Sequence, residues 1–212
     1  MIGILTDRTV AVLRYVAWPK VDAPWYEGEM NLNLFGIRKA ETRAGKFDDV
    51  IGCAWQERGV WHLEEWPATT DPGAYYLEHP LNVDGAAILA RGHHPGAWQI
   101  GRHRGKYEAL VQTAGPVRVW RDSNKDAILD WGHGLGTPGW YGINIHRAGA
   151  RGRTNDVGRF SAGCQVLQVA DDLKRLLQLY MASSHRYGKR ISYTLIDEAD
   201  LAVKGRRRRR VS

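Results

Sequence analysis

Apolar positions along the chain change period several times. Val10, Leu13 and Val16 recur at helical spacing and predict a short helix over 6–18, capped by Thr6 and stopped by Pro19. Residues 20–30, with Pro24 and Gly28, read as loop. From Asn31 the texture turns to strands. Leu32, Leu34 and Ile37 predict a short one, and apolar runs at 50–55 and 60–66 flank Glu57-Arg58-Gly59 as a hairpin. Thr69-Thr70-Asp71-Pro72-Gly73 is a turn, with a short strand expected at 74–78. Gly92-His93-His94-Pro95-Gly96 predicts another turn, leading into a strand at 98–101. Residues 117–120 alternate as a half-buried strand does, 132–139 read as loop, and 141–145 as a strand. Near the end, Leu173, Leu176, Leu177 and Tyr180 form the apolar face of a helix capped by Asp171 and ended by Gly188. Residues 191–196 predict the last strand. The fold class expected is mainly β (α+β) with a few peripheral helices.

Composition narrows the classes. Of 212 residues, 43% are apolar and 25% charged, an ordinary globular balance. The organisation expected is an N-terminal helix and linker over 1–30, one domain over 31–203, and a basic tail over 204–212. No run approaches the ~18 apolar residues of a membrane span. Asp7, Arg8 and Arg14 interrupt the N-terminal apolar run, so no secretory signal is recognised and synthesis in the cytoplasm is expected. Two cysteines make no disulfide framework, and a Cys53–Cys164 bond is disfavoured in a reducing compartment. Cys53 reads as strand core.

The net charge of +7 is concentrated at one end: Lys204 and Arg206 to Arg210 hold most of the excess, and the rest of the chain is close to neutral. Such a run repels itself and is expected to be disordered, either simply solvated or holding anionic envelope polymers or another polyanion. Without interleaved aromatics it offers no stacking surface for single-stranded nucleic acid.

Chemistry concentrates in Ile143-Asn144-Ile145-His146-Arg147-Ala148-Gly149 and Ser161-Ala162-Gly163-Cys164-Gln165-Val166-Leu167. His146 ends one strand and Cys164 begins another, 18 positions later, and a loop between two neighbouring strands is expected to return the chain so that the side chains meet. A free thiol has a pKa near ~8.5 and needs a neighbouring base to act as a nucleophile at neutral pH; an imidazole beside Cys164 is expected to take its proton and hold an ion pair. Gly163 gives the backbone room for a tight turn, and amides around Gly163 and Cys164 are candidates for an oxyanion hole, each donor worth ~2.7–4 kcal/mol. Ser161 is placed to hydrogen-bond within the loop. Trp140 and Tyr141, and His103 in Gly101-Arg102-His103-Arg104-Gly105, are candidates to line a cleft. The bland alternative is an inert buried thiol.

The pattern His146…Ser161-Ala162-Gly163-Cys164 resembles the signature of L,D-transpeptidases, and Thr70-Asp71-Pro72-Gly73-Ala74-Tyr75 is similar to an early turn of those domains. The resemblance covers roughly residues 60–170. It implies an L,D-transpeptidase-like β-sandwich or barrel and a catalytic domain over 31–203. Peptidoglycan stem peptides would be the substrate, attacked by Cys164 at an L,D bond, with His146 as base and then acid. Family members usually carry His or another residue before the motif glycine and Arg or Asn shortly after the cysteine. Here Ala162 and Gln165-Val166-Leu167 stand, leaving Gln165, Arg147 or Arg121 to hold a substrate carboxylate. The outcome expected is hydrolysis at the cell wall, as in a lysin. Cross-linking by transpeptidation is the alternative, and a non-catalytic envelope- or nucleic-acid-binding module is the rival of another class.

Metals are not expected. His93, His94, His103 and His133 lack the helical pair and carboxylate of a metallopeptidase. Asp122 to Asp130 spaces oxygens as a calcium loop does, but Ala127 replaces the required glycine and His133 the bidentate glutamate, which favours an Asx-rich turn. No cofactor is expected.

Overall fold

The computed structural model describes residues 7–40, 43–132 and 134–202. Thr6, His133 and the basic tail at 204–212 lie outside the described residues. The fold is mainly β. Eight strands close into a barrel: β1 (Asn33–Arg38), β2 (Asp49–Glu57), β3 (Val60–Thr69), β5 (Gly92–His103), β6 (Tyr107–Val111), β9 (Ile145–Arg147), β10 (Gln165–Leu167) and β11 (Ile191–Asp197), in the order β1-β11-β5-β6-β9-β10-β3-β2. A second sheet runs β4 (Ala86–Leu89), β7 (Val117–Asp122), β8 (Thr137–Gly139). Two barrel pairs are parallel, β1 with β11 and β9 with β10.

The hairpin between β2 and β3 forms as expected, its two-residue turn made by Arg58 and Gly59, both at positive φ. All six residues of β1 are buried, because the strand has cover on both sides. Leu34 faces the main core, which includes Trp98, Leu110, Ile145 and Leu195. Phe35 joins a second cluster with Val10, Leu13 and Trp18 from the N-terminal segment.

Several expected elements take another form. The N-terminal helix is α-helical only over α1 (Asp7–Val12), then widens to a π-helical turn at Leu13–Ala17 and tightens to a 3₁₀ turn at Trp18–Val21. Pro19 opens that last turn rather than ending the helix, since the first turn has no use for its missing N–H. The segment Ala74–Glu78 is a helical turn (α2), not a strand; Tyr75 and His79, four apart, stack at 4.7 Å, a contact only a helical turn makes. Residues 92–96 lie inside β5 instead of turning. Pro95 brings no ladder donor and Gly96 takes φ +52°, and the pairing with β11 shifts register there, so the two residues make an irregularity within a strand. Residues 137–139, expected as loop, pair with β7 as β8. The strand expected over 141–145 pairs only from Ile145, because Gly142 at φ +68° breaks the extended run.

The long helix α3 (Ala170–Tyr187) buries Leu173, Leu176 and Tyr180 as expected. Its cap is Val169 rather than Asp171, which sits inside the first turn and pairs with Lys174. Gly188, at φ +86°, ends it. Among the described residues no helix is long and apolar enough to cross a membrane. Cys53 is fully buried in β2, and both cysteines are free thiols.

Candidate active site

The parallel register of β9 and β10 aligns Gln165 with Ile145 and Val166 with His146. The Gln165 amide donates to the Asn144 carbonyl at 2.9 Å, so the alignment continues to the residue before each strand. Cys164 therefore stands beside Asn144, and strand alternation places Asn144, His146 and Cys164 on one face. The Cys164 sulfur accepts from the Asn144 amide at 3.4 Å and lies 3.5 Å from the Gly142 carbonyl, toward which its S–H points.

The loop before Cys164 is shaped by two residues. Gly163 takes φ +121°, and a Cβ there would lie 2.2 Å from the Ala87 carbonyl of β4, so only glycine fits. Ser161 is fully buried. Its Oγ accepts from the Gly163 amide at 3.2 Å and lies 2.7 Å from the Asp71 carbonyl and 2.8 Å from the Cys164 carbonyl. The Gly73 amide donates to the Ser161 carbonyl at 2.9 Å, which fastens the Pro72-Gly73 turn to the cysteine loop. Ser161 is thus a positioning residue. The Gly163 amide is consumed by Ser161 and is not free for an oxyanion, a correction to the expected pair of donors; the Cys164 amide is not used by these bonds.

His146 is 1% exposed. Its Nδ1 donates to the Arg147 carbonyl at 2.8 Å, a bond that puts the proton on Nδ1 and leaves Nε2 as a lone pair. That Nε2 is buried without a partner. The His103 ring stacks on it at 4.0 Å and 21°. Asn144 fixes the tautomer of His103. Its Oδ1 accepts from the Gln112 amide at 2.9 Å, so Nδ2 faces His103 Nδ1 at 3.1 Å, and that ring nitrogen must accept.

Burial governs the electrostatics. It pushes His146 down to about 3, helped by the neighbouring His103, Arg104 and Arg147. Burial also lowers His103. The Cys164 thiol is pushed up to about 11 by burial, against opposing pulls from the Asn144 amide and Arg104. The resting site is a neutral thiol and a neutral imidazole, not the ion pair that the sequence suggests.

Cys164, His103, Trp140 and Tyr141 line one cavity of about 440 Å³, and Arg121 lines it too. Two expected contacts do not reach it. Gln165 is fully buried: its amide nitrogen donates to the Thr70 carbonyl at 3.1 Å and its oxygen accepts from Tyr193 at 3.0 Å. Arg147 turns away, donating to the Gly149 carbonyl with its guanidinium over the Tyr107 ring at 4.0 Å. Both follow from the alternation that puts His146 and Cys164 on one face of the strand pair, which sends their neighbours elsewhere; of the two, only Cys164 lines the cavity, and His146 lies buried behind it.

Sequence reasoning missed Asn144 and Gln112. Asn144 is the polar position between two isoleucines, a readable signal. Gln112 is buried, its oxygen accepting from the amides of Tyr141 and Ile143 and its nitrogen donating to the carbonyls of Gly115 and Gly139. It shapes the segment before His146 through Gly139, Tyr141 and Ile143, 27 to 31 positions away, contacts that no local pattern announces.

The candidate metal positions are engaged otherwise. His94 Nε2 donates to the Ala90 carbonyl, and His93 Nδ1 pairs with Thr194 Oγ1, both at 2.9 Å. Asp122, Asn124 and Asp126 side chains accept from amides of the same loop, as Asx turns do. Among the described residues no group of three or more His, Cys, Asp or Glu is placed to hold a metal ion. No family model matches the chain, and neither a curated protein nor a solved structure does.

Proposed function

We propose that the chain is a cysteine acyl-transfer enzyme, a peptidase acting on L,D peptide bonds of peptidoglycan stem peptides. One observation carries the chemistry: a thiol that opens into a cavity shares a strand-pair face with an imidazole whose Nδ1 is committed to a carbonyl and whose Nε2 lone pair is uncommitted. The substrate class rests on the resemblance of His146…Ser161-Ala162-Gly163-Cys164 to the L,D-transpeptidase signature.

In the proposed cycle His146 Nε2 takes the Cys164 proton as the sulfur attacks the acyl carbon. Transfer accompanies attack, because burial disfavours both the free thiolate and the free imidazolium. The Cys164 amide steadies the developing oxyanion. The imidazolium then returns its proton to the leaving amine, and a thioester remains. Water attacks that thioester with His146 again as base, releasing the acid and the thiol.

The test is incubation with purified muropeptides and mass spectrometry of the products. Trimmed peptides, absent with Cys164→Ala, support the reading. Joined peptides reassign the acceptor from water to an amine. Products unchanged by Cys164→Ala, or no products at all, overturn it.

A further inference from the structure

Outside the cavity, several buried or half-buried arginines are paired with acids. Arg38 pairs with Asp71, Arg91 with Asp200, and Arg175 with Glu64. The cavity at Cys164 is different. Arg104, Arg121 and Arg159 line it, and no aspartate or glutamate does. Among the described residues none of the three has a carboxylate within ion-pair distance.

The three cations arrive from separate elements. Arg104 is in the turn between β5 and β6, Arg121 on β7 of the second sheet, and Arg159 in the loop that leads to Cys164. Their supports are neutral. Arg121 donates to the Gly85 carbonyl at 2.9 Å with its guanidinium 5.2 Å from the Tyr141 ring centre. Arg159 lies over the Tyr75 ring at 3.9 Å. Aromatic faces and carbonyls hold a guanidinium in place without discharging it. Three convergent, uncompensated guanidiniums in a concave site focus a positive potential at the thiol. Their planar donor forks match a carboxylate.

We infer that this cavity selects an anionic acyl donor, one bringing at least one free carboxylate beside the bond Cys164 attacks, with Arg104, Arg121 and Arg159 as the specificity-determining residues. The inference rests on the proposed role of Cys164 and adds the charge of its substrate. It also reassigns the carboxylate contact. Gln165 and Arg147, two of the three sequence candidates, do not line the cavity, whereas Arg121 does, in company with two arginines that the motif does not mark.

The experiment measures alkylation of Cys164 in the full chain by iodoacetate and by iodoacetamide, which differ in a carboxylate against an amide. Labelling is read at the Cys164 peptide by mass spectrometry, and glutathione in the same buffer gives the reference ratio. The expected iodoacetate preference is about tenfold over that reference at low salt. It collapses toward the reference at 1 M salt, where screening acts within ~3 Å. Arg104→Gln, which removes no bond named above, lowers the ratio, and Arg104→Glu lowers it further. Arg121→Gln and Arg159→Gln do the same in chains whose thermal melts match the parent. Labelling by both reagents at the glutathione ratio overturns the anionic preference and leaves the nucleophile standing. Failure of both reagents to label Cys164 overturns the nucleophile reading itself.

Discussion

Replacing Ser161 by alanine removes one fully buried oxygen and isolates how the cysteine loop is held. The hydroxyl accepts from the Gly163 amide at 3.2 Å and supplies one proton to the carbonyls of Asp71 and Cys164, 2.7 and 2.8 Å away. Alanine leaves almost no cavity, so packing loss is small. The Asp71 carbonyl keeps a longer bond from Thr69 Oγ1 at 3.4 Å. The Gly163 N–H loses its acceptor in a buried setting. An orphaned buried donor costs ~1–3 kcal/mol, and we expect a loss of about 2 kcal/mol. Urea unfolding followed by tryptophan fluorescence measures it: with a slope near ~2 kcal/mol/M, the midpoint falls by about 1 M and the slope stays unchanged. Iodoacetamide labelling of Cys164 in the same variant should change rate, because the amide released from Ser161 no longer fixes the backbone that presents the thiol. A loss below ~0.5 kcal/mol together with parental labelling would refute the positioning role.

Three further outcomes are expected. Gly163→Ala forces a Cβ to 2.2 Å from the Ala87 carbonyl at φ +121°, so the loop must move; muropeptide turnover should fall at least ~100-fold, since a displacement of about 1 Å has that effect on a reacting pair, and parental turnover would contradict the close approach. The thiolate form of Cys164 should gain with pH along a curve whose midpoint lies well above the ~8.5 of a free thiol, because burial raises it to about 11; a midpoint at or below that of glutathione would contradict the neutral resting pair. Buried His94 and His146 are held neutral, with pKa values lowered to about 4 and about 3; unfolded, each takes a proton below ~6.5, so the stability they lend is full above that pH and is lost as pH falls from it toward 4, at ~1.4 kcal/mol per pH unit for each. Urea midpoints from pH 7 to 4 check this, and His146→Asn should make the slope shallower while His93, His94 and His103, also lowered by burial, keep it from vanishing; a parent that is flat across the range would oppose it.

What was legible in the chain was what local pattern encodes. The β2–β3 hairpin is written in Arg58-Gly59, and α3 in its leucine spacing and Gly188. That the strands of His146 and Cys164 lie side by side was legible in the 18-residue return between them, but their parallel register and their bounds were not, since three residues each is too short for a period. The two strands are defined by neighbours distant in sequence, β6 and β3. The same separation explains the site. Cys164, His146 and the glycine before the cysteine stand in one readable motif, but Asn144 acts through Gln112 and His103, and the arginines come from three elements. Burial reversed the expected electrostatics, because a motif names a thiol and an imidazole without saying how much water each retains.

The division of labour between the two sheets follows from these contacts. Barrel strand β9 carries the base and β10 starts directly after the nucleophile, and each strand is paired on both sides, so their spacing is stiff. The smaller sheet contributes Arg121 and the Ala86-Ala87 wall, and it touches the thiol loop where Gly163 meets the Ala87 carbonyl. Arg121 sits beyond that contact, on the neighbouring strand. Changing Arg121 should therefore alter which acyl donors are captured more than it alters turnover of a bound donor. Changing Gly163 to alanine instead drives the loop against the Ala87 carbonyl and should disturb both capture and turnover. Measuring KM and kcat separately for the two variants distinguishes these: an Arg121→Gln defect confined to KM fits a binding wall built on a rigid catalytic barrel, and an equal loss in kcat would mean that the two sheets do not act independently.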